Sequence, residues 1–147
     1  VVLRTTQGDI TLVLFPDQAP TYTRHFLQEV RFDTFRNEGI WRRDPGGYVQ
    51  LGGPDTDVAN AAGTGRYELM PTWFDHNRLP QVAGSVVMNK RFEDDDGRMV
   101  RHEYALITGN GGYFPGTVIG QVLTGLDAAQ RLQTGDAVLM AVDVTEP

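Results

Sequence analysis

The polar pair with most chemical promise in this sequence is Arg42 and Gln50, eight positions apart in Ile40-Trp41-Arg42-Arg43-Asp44-Pro45-Gly46-Gly47-Tyr48-Val49-Gln50-Leu51-Gly52-Gly53. A guanidinium is permanently charged and holds its donors in a planar fork. Taken alone, the pair is equally a surface arginine followed by a strand. Other constellations are poorer. His25, His76 and His102 are scattered, without the close pairing that metal ligation uses, and His25 reads as a surface or boundary residue of a helix. Glu93-Asp94-Asp95-Asp96-Gly97 lacks the alternating ligands and closing glutamate of a calcium loop and reads as a solvated tip. Gly63-Thr64-Gly65 lacks the third glycine of a dinucleotide fingerprint. Ser85 is the only serine and sits in an apolar run, so no serine nucleophile with a base is suggested. The absence of cysteine excludes disulfides, a thiolate nucleophile and cysteine-ligated metals.

Elements that could position the pair follow from period and turn chemistry. Residues 2–15 read as a hairpin, with Ile10, Leu12 and Leu14 on one face and Gln7-Gly8-Asp9 at the turn. From Thr21 to Val30 the period changes: Tyr22, Phe26, Leu27 and Val30 recur at helical spacing, with Pro20 suited to the first turn. Residues 31–41 hold short apolar pieces, and 53–82 read as a long surface excursion pinned by Tyr67, Leu69, Trp73 and Phe74. Strands are expected at 84–88, 117–123 and 138–144, with an apolar stretch at 104–108 and a loop at 109–116. A short helix is expected at 125–133, capped by Thr124 and stopped by Gly135. Many short strands, two helices and no βαβ rhythm predict a mostly β barrel or sandwich with helical plugs. A length of 147 residues suits one domain, read as 1–147 and as a mature or excised piece of a longer chain. Thirteen basic against 19 acidic residues give a net charge of −6, the wrong balance for a phosphate-backbone binder. No apolar run approaches the ~18 residues of a membrane-spanning helix.

Order and spacing of short motifs then carry a resemblance. Thr5-Thr6-Gln7-Gly8-Asp9-Ile10, Leu14-Phe15-Pro16-Asp17-Gln18-Ala19-Pro20 and Phe26-Leu27 resemble the opening of a cyclophilin-type peptidyl-prolyl isomerase. That family continues with Phe-His-Arg, Pro-Gly-Phe and Gln-Gly-Gly; here stand Ile40-Trp41-Arg42, Pro45-Gly46-Gly47 and Gln50-Leu51-Gly52-Gly53, with no gap between arginine and glutamine. Gly84 to Asn89, His102 to Thr108 and Phe114 to Val122 are similar to three later family segments. The likeness runs from Val2 to about Val144.

The resemblance implies a closed eight-stranded antiparallel barrel capped by two helices. It implies catalysis of cis/trans rotation about the bond before proline, a bacterial protein-folding catalyst, with no cofactor or metal. Arg42 matches the catalytic arginine and Gln50 the glutamine that orients substrate and arginine. Tyr48, Met88, Glu103, Tyr104, Ala105, Tyr113 and Phe114 are implied to form the substrate groove. Three departures bear on activity: Gly47 and Ala105 replace pocket aromatics, and Glu103 replaces a glutamine, where its carboxylate is expected to pair with Arg42. The alternative is a weak or inactive cyclophilin-like module that binds a proline-containing segment of a partner or larger assembly. The start at Val1 leans toward export to a bacterial cell envelope or periplasm, with a cytoplasmic address left open.

Overall fold

The computed structural model describes residues 1–51, 75–93 and 99–144, with backbone only between 89 and 102. Most of the surface excursion expected at 53–82, and residues 94–97 of the acidic tip, lie outside the described residues. Eight strands are β1 (Val2–Thr5), β2 (Gly8–Leu14), β3 (Glu38–Asp44), β4 (Tyr48–Leu51), β5 (Ser85–Glu93), β6 (Met99–Ile107), β7 (Thr117–Thr124) and β8 (Ala137–Val142). Helix α1 spans Pro20–Arg31 and α2 spans Leu126–Arg131. All strand pairings are antiparallel and close in the order β1-β2-β7-β5-β6-β4-β3-β8, the barrel the resemblance implies.

Alternation along the strands decides what the barrel holds. Every strand sends side chains inward: Leu3, Ile10, Leu12, Ile40, Val49, Leu51, Val86, Met88, Tyr104, Leu106, Ile119 and Val138 form one buried cluster. Each such side chain, fully buried, is worth about 1.5–3 kcal/mol. Helix α1 adds Tyr22, Phe26 and Val30, spaced four apart so that one face meets the barrel. Phe26 lies 5.0 Å from the Tyr104 ring and 5.3 Å from Phe35. The backbone N–H of Tyr22, in the first turn, donates to the Asp75 carboxylate at 2.7 Å, so a remote residue supplies the cap that Ala19 cannot.

Local expectations are corrected at several points. The turn of the first hairpin falls at Thr6-Gln7, because β2 already begins at Gly8. The N-cap of α2 is Gly125 rather than Thr124, since the backbone there enters the helix through a left-handed residue (φ 91°) that glycine tolerates. In β8 the buried residues are Val138 and Ala141, because a bulge opposite Arg4 and Thr5 switches the inward face. His25 is buried, not superficial: its Nε2 lies 3.4 Å from Glu29 on the next turn of α1.

Glu29 is itself 1% exposed and accepts a 2.5 Å hydrogen bond from the Tyr104 hydroxyl. Tyr104→Phe therefore withdraws a donor from a buried carboxylate. The expected result is a loss of about 1–3 kcal/mol in urea denaturation. Chemistry at the site described next should stay within about twofold, because Tyr104 belongs to the inner core, away from that site.

Candidate active site

Strand parity also builds a second, outward-facing surface. Tyr48, Val87, Ala105, Ile107, Phe114 and Val118 form a separate buried cluster, with Phe15 and Leu79 against it. The register explains its membership: Tyr48 opposes Ile107, Gln50 opposes Ala105, and Val87 opposes both Ala105 and Val118. Residues directly opposite on neighbouring strands share a face. On the other side of β4, Arg42 opposes Gln50 and Asp44 opposes Tyr48, so these four side chains stand on the same outer wall.

A recess of about 310 Å³ lies on this wall, lined by Trp41, Arg42, Tyr48, Gln50, Glu103, Phe114 and Pro115. It falls at the small end of the ~300–1,000 Å³ usual for ligand sites. Arg42 is exposed along much of its length but is steered at its tip. Its Nη2 lies 3.8 Å from Asp44 Oδ2, and its guanidinium carbon sits 5.9 Å from the centre of the Tyr48 ring. Tyr48 in turn meets the Phe114 ring edge-on at 5.2 Å. Burial raises the Tyr48 hydroxyl above its ordinary pKa; Arg42 opposes this, and Asp44, by charge and hydrogen bond, and Glu103 add to it. The hydroxyl thus stays protonated.

Gln50 and Glu103 are both buried, and Gln50 Nε2 donates to Glu103 Oε1 at 2.8 Å. This contact turns the NH₂ end of the Gln50 amide toward Glu103. The expected pairing of Glu103 with Arg42 is replaced by this contact, while the ion-pair partner of Arg42 is Asp44.

The turn between β3 and β4 explains why a glycine stands where a ring is expected. Asp44 Oδ1 accepts from Gly46 N at 2.8 Å, and Gly47 N donates to Asp44 O at 3.0 Å. Gly47 then adopts φ +123° and its carbonyl accepts from Thr108 N at 2.8 Å. A Cβ there would stand 3.0 Å from Gly112 Cα. Two backbones touch at this point, and the aromatic wall comes from Tyr48, the next residue along.

A more apolar recess of about 370 Å³, between β2, β7 and α1, is lined by residues including Leu12, Leu14, Leu27 and Leu123. Among the described residues its lining carries no charged side chain; its polar groups are the N-terminal amine of Val1 and the hydroxyls of Thr11 and Thr23. The Arg42 recess is the chemical one.

With this geometry described, similarity to known proteins decides the family. A model of the cyclophilin type peptidyl-prolyl cis-trans isomerase family matches residues 1–146. The chain belongs to that family. A probable peptidyl-prolyl cis-trans isomerase of Brucella suis is 28% identical over 145 residues, covering 92% of this chain and 71% of the relative. A cyclophilin from Hirschia baltica superposes with a TM-score of 0.73 at 19% identity, covering 99% of this chain and 74% of its own. A Cryptosporidium parvum cyclophilin-type isomerase gives 0.66 at 17% identity, covering 99% and 97%. The structural neighbours share the closed barrel, and the Brucella relative fits a bacterial protein. Family membership and the curated relative support peptidyl-prolyl isomerisation, acting on proline-containing polypeptide segments, in a divergent member.

Of the residues the cyclophilin resemblance singles out, the fold brings Arg42, Tyr48, Gln50, Glu103 and Phe114 to one recess. Ala105 lies fully buried in the outer cluster with Tyr48 and Phe114, without lining the recess itself. Tyr113 is 66% exposed and stands outside it. Met88 and Tyr104 are not brought there: they oppose each other across β5 and β6 on the barrel's inner face. Parity is the reason, since neighbours of Val87 and Ala105 must point the other way.

Sequence reading missed Trp41 and Pro115 among the lining residues, and Gln81 as a support. The Gln81 side chain clasps the backbone of Phe114 at both ends: Phe114 N donates to its Oε1 at 2.9 Å and its Nε2 donates to Phe114 O at 2.7 Å. Nothing in the sequence marks a glutamine 33 residues away as that clasp. Gln81→Ala should loosen Phe114 and raise KM for a proline peptide by about three- to tenfold with kcat little changed, measured by initial-rate kinetics.

Proposed function

We propose that the outer recess seats a prolyl residue against Tyr48 and Phe114 and that Arg42 is the catalytic residue for rotation about the preceding amide. Rotation is slow because it breaks amide resonance, at a barrier of ~18–20 kcal/mol. In the twisted amide the proline nitrogen recovers its lone pair, which a guanidinium N–H can then bond. In the planar ground state that pair is delocalised, so the interaction is made only where it lowers the barrier. Each tenfold in rate needs about 1.4 kcal/mol of such differential stabilisation. Gln50, its amide oriented by Glu103, positions the peptide backbone and the arginine.

The observation that carries this reading is the placement of Arg42 at a recess with aromatic walls, its tip held by Asp44 and the Tyr48 ring. Its test is exchange spectroscopy on a proline tetrapeptide, following cis and trans signals with and without protein. Acceleration proportional to protein concentration is expected. Peptide binding without acceleration would overturn the catalytic assignment and leave a module that docks proline-containing segments of a partner or larger assembly.

A further inference from the structure

We propose that Trp41 is a substrate-contacting residue that selects bulky apolar side chains immediately before the proline, an inference that rests on Arg42 facing the rotating amide. The observation behind it is an irregularity in β3. Ile40 opposes Leu51 and Arg42 opposes Gln50, so β3 spends two steps where β4 spends one. Regular alternation would put residues 40 and 42 on one face. Instead Ile40 belongs to the barrel interior and Arg42 to the outer recess. Trp41 is the extra residue of a bulge, and bulges re-aim side chains in this way. The outcome is two consecutive side chains, Trp41 and Arg42, lining the same recess.

The strand axis supplies a direction. Tyr48 opposes Asp44 at the turn end of the hairpin, Arg42 and Gln50 stand in the middle, and Trp41 lies beyond Arg42, away from the turn. A prolyl ring at the Tyr48–Phe114 end with its amide at Arg42 leaves the preceding residue facing Trp41. The indole is half-buried there, so it offers apolar area without being consumed by the core. The carboxylate at this end, Glu103, already holds Gln50, and the adjacent guanidinium repels a cation, so the favoured group is apolar rather than basic.

The test compares tetrapeptides with Gly, Ala, Leu, Phe or Lys before proline, using wild-type protein, Trp41→Ala and Trp41→Phe. Wild type should turn over Leu-Pro and Phe-Pro about tenfold faster than Gly-Pro in kcat/KM, as partial burial of such a side chain allows. Trp41→Ala should compress that ratio to about twofold, and Trp41→Phe should keep most of it. The ratio is internal, so any general loss of stability cancels. A ratio unchanged in Trp41→Ala, no preference in wild type, or Lys-Pro exceeding Leu-Pro would overturn the inference. If no peptide is turned over, indole fluorescence in a Trp73→Phe background reports Trp41 alone. Tighter binding of Leu-Pro than Gly-Pro peptide would then sustain Trp41 as the selector while overturning the catalytic reading. Peptide line broadening without a fluorescence change would overturn the selector, and no binding by either measure would overturn both.

Discussion

Arg42→Ala is expected to lower kcat/KM for a proline tetrapeptide about 10²- to 10³-fold. Removing a donor that acts only in the transition state costs roughly 2.7–4 kcal/mol in other preorganised sites. The loss should fall on kcat, because ground-state contacts at Tyr48, Phe114 and Gln50 survive. Stability should hardly change. The Arg42 side chain is 59% exposed and its ion pair with Asp44 is long, a kind of contact worth about 0–1 kcal/mol. Exchange spectroscopy and a urea melt on the same sample separate these outcomes. An unchanged exchange rate would remove the catalytic assignment, whereas a lost fold would show that the arginine is structural. Arg42→Lys sharpens the test: a point charge lacks the planar fork, and less than a tenth of the activity should return.

Gly47→Phe carries the other large effect, and it runs against the family comparison. Supplying the ring that the cyclophilin resemblance implies at this position should enlarge the prolyl seat if Gly47 were simply a lost aromatic. The geometry says otherwise. With φ at +123° and Cβ space ending 3.0 Å from Gly112 Cα and 3.3 Å from the Gly109 carbonyl, any side chain strains the turn and pushes on the loop that presents Phe114. The expected cost is roughly 2–5 kcal/mol in chemical denaturation, with isomerisation falling rather than rising. Gly47→Ala, less bulky but under the same backbone penalty, should lose about 1–2 kcal/mol. A stable and more active Gly47→Phe protein would show that the turn can rearrange and that Tyr48 is not the ring of the seat.

Both variants bear on how far this site could be read from residues alone. Arg42 and Gln50 were legible through motif order, whereas their pairing across a hairpin with its turn at Asp44–Gly47 was seen only in the fold. Phe114 and Glu103 were legible through motif order. Met88 and Tyr104 were misplaced although their parity was available in the sequence. Val87 and Ala105 could not share a face with them, and the motif likeness obscured that alternation. Trp41 had no sequence signal as a lining residue, because a bulge depends on how two strands accommodate each other. The Gln81 clasp on Phe114 likewise joins segments that meet only after the barrel closes.

Much of the architecture was therefore written in local chemistry. Hydrophobic period marked the first hairpin, helix α1 and most later strands, since burial of every second or every fourth side chain leaves its trace in composition. Motif order assigned the barrel family and, through that resemblance, the reaction and its arginine. The tertiary structure decided which side of each strand faces the recess, that Asp44 rather than Glu103 pairs with the guanidinium, and that Tyr48 supplies the ring beside a turn only glycine can make. Those outcomes depend on register, bulges and backbone contacts between segments far apart in the chain. They are relations between strands, and no single stretch of residues encodes them.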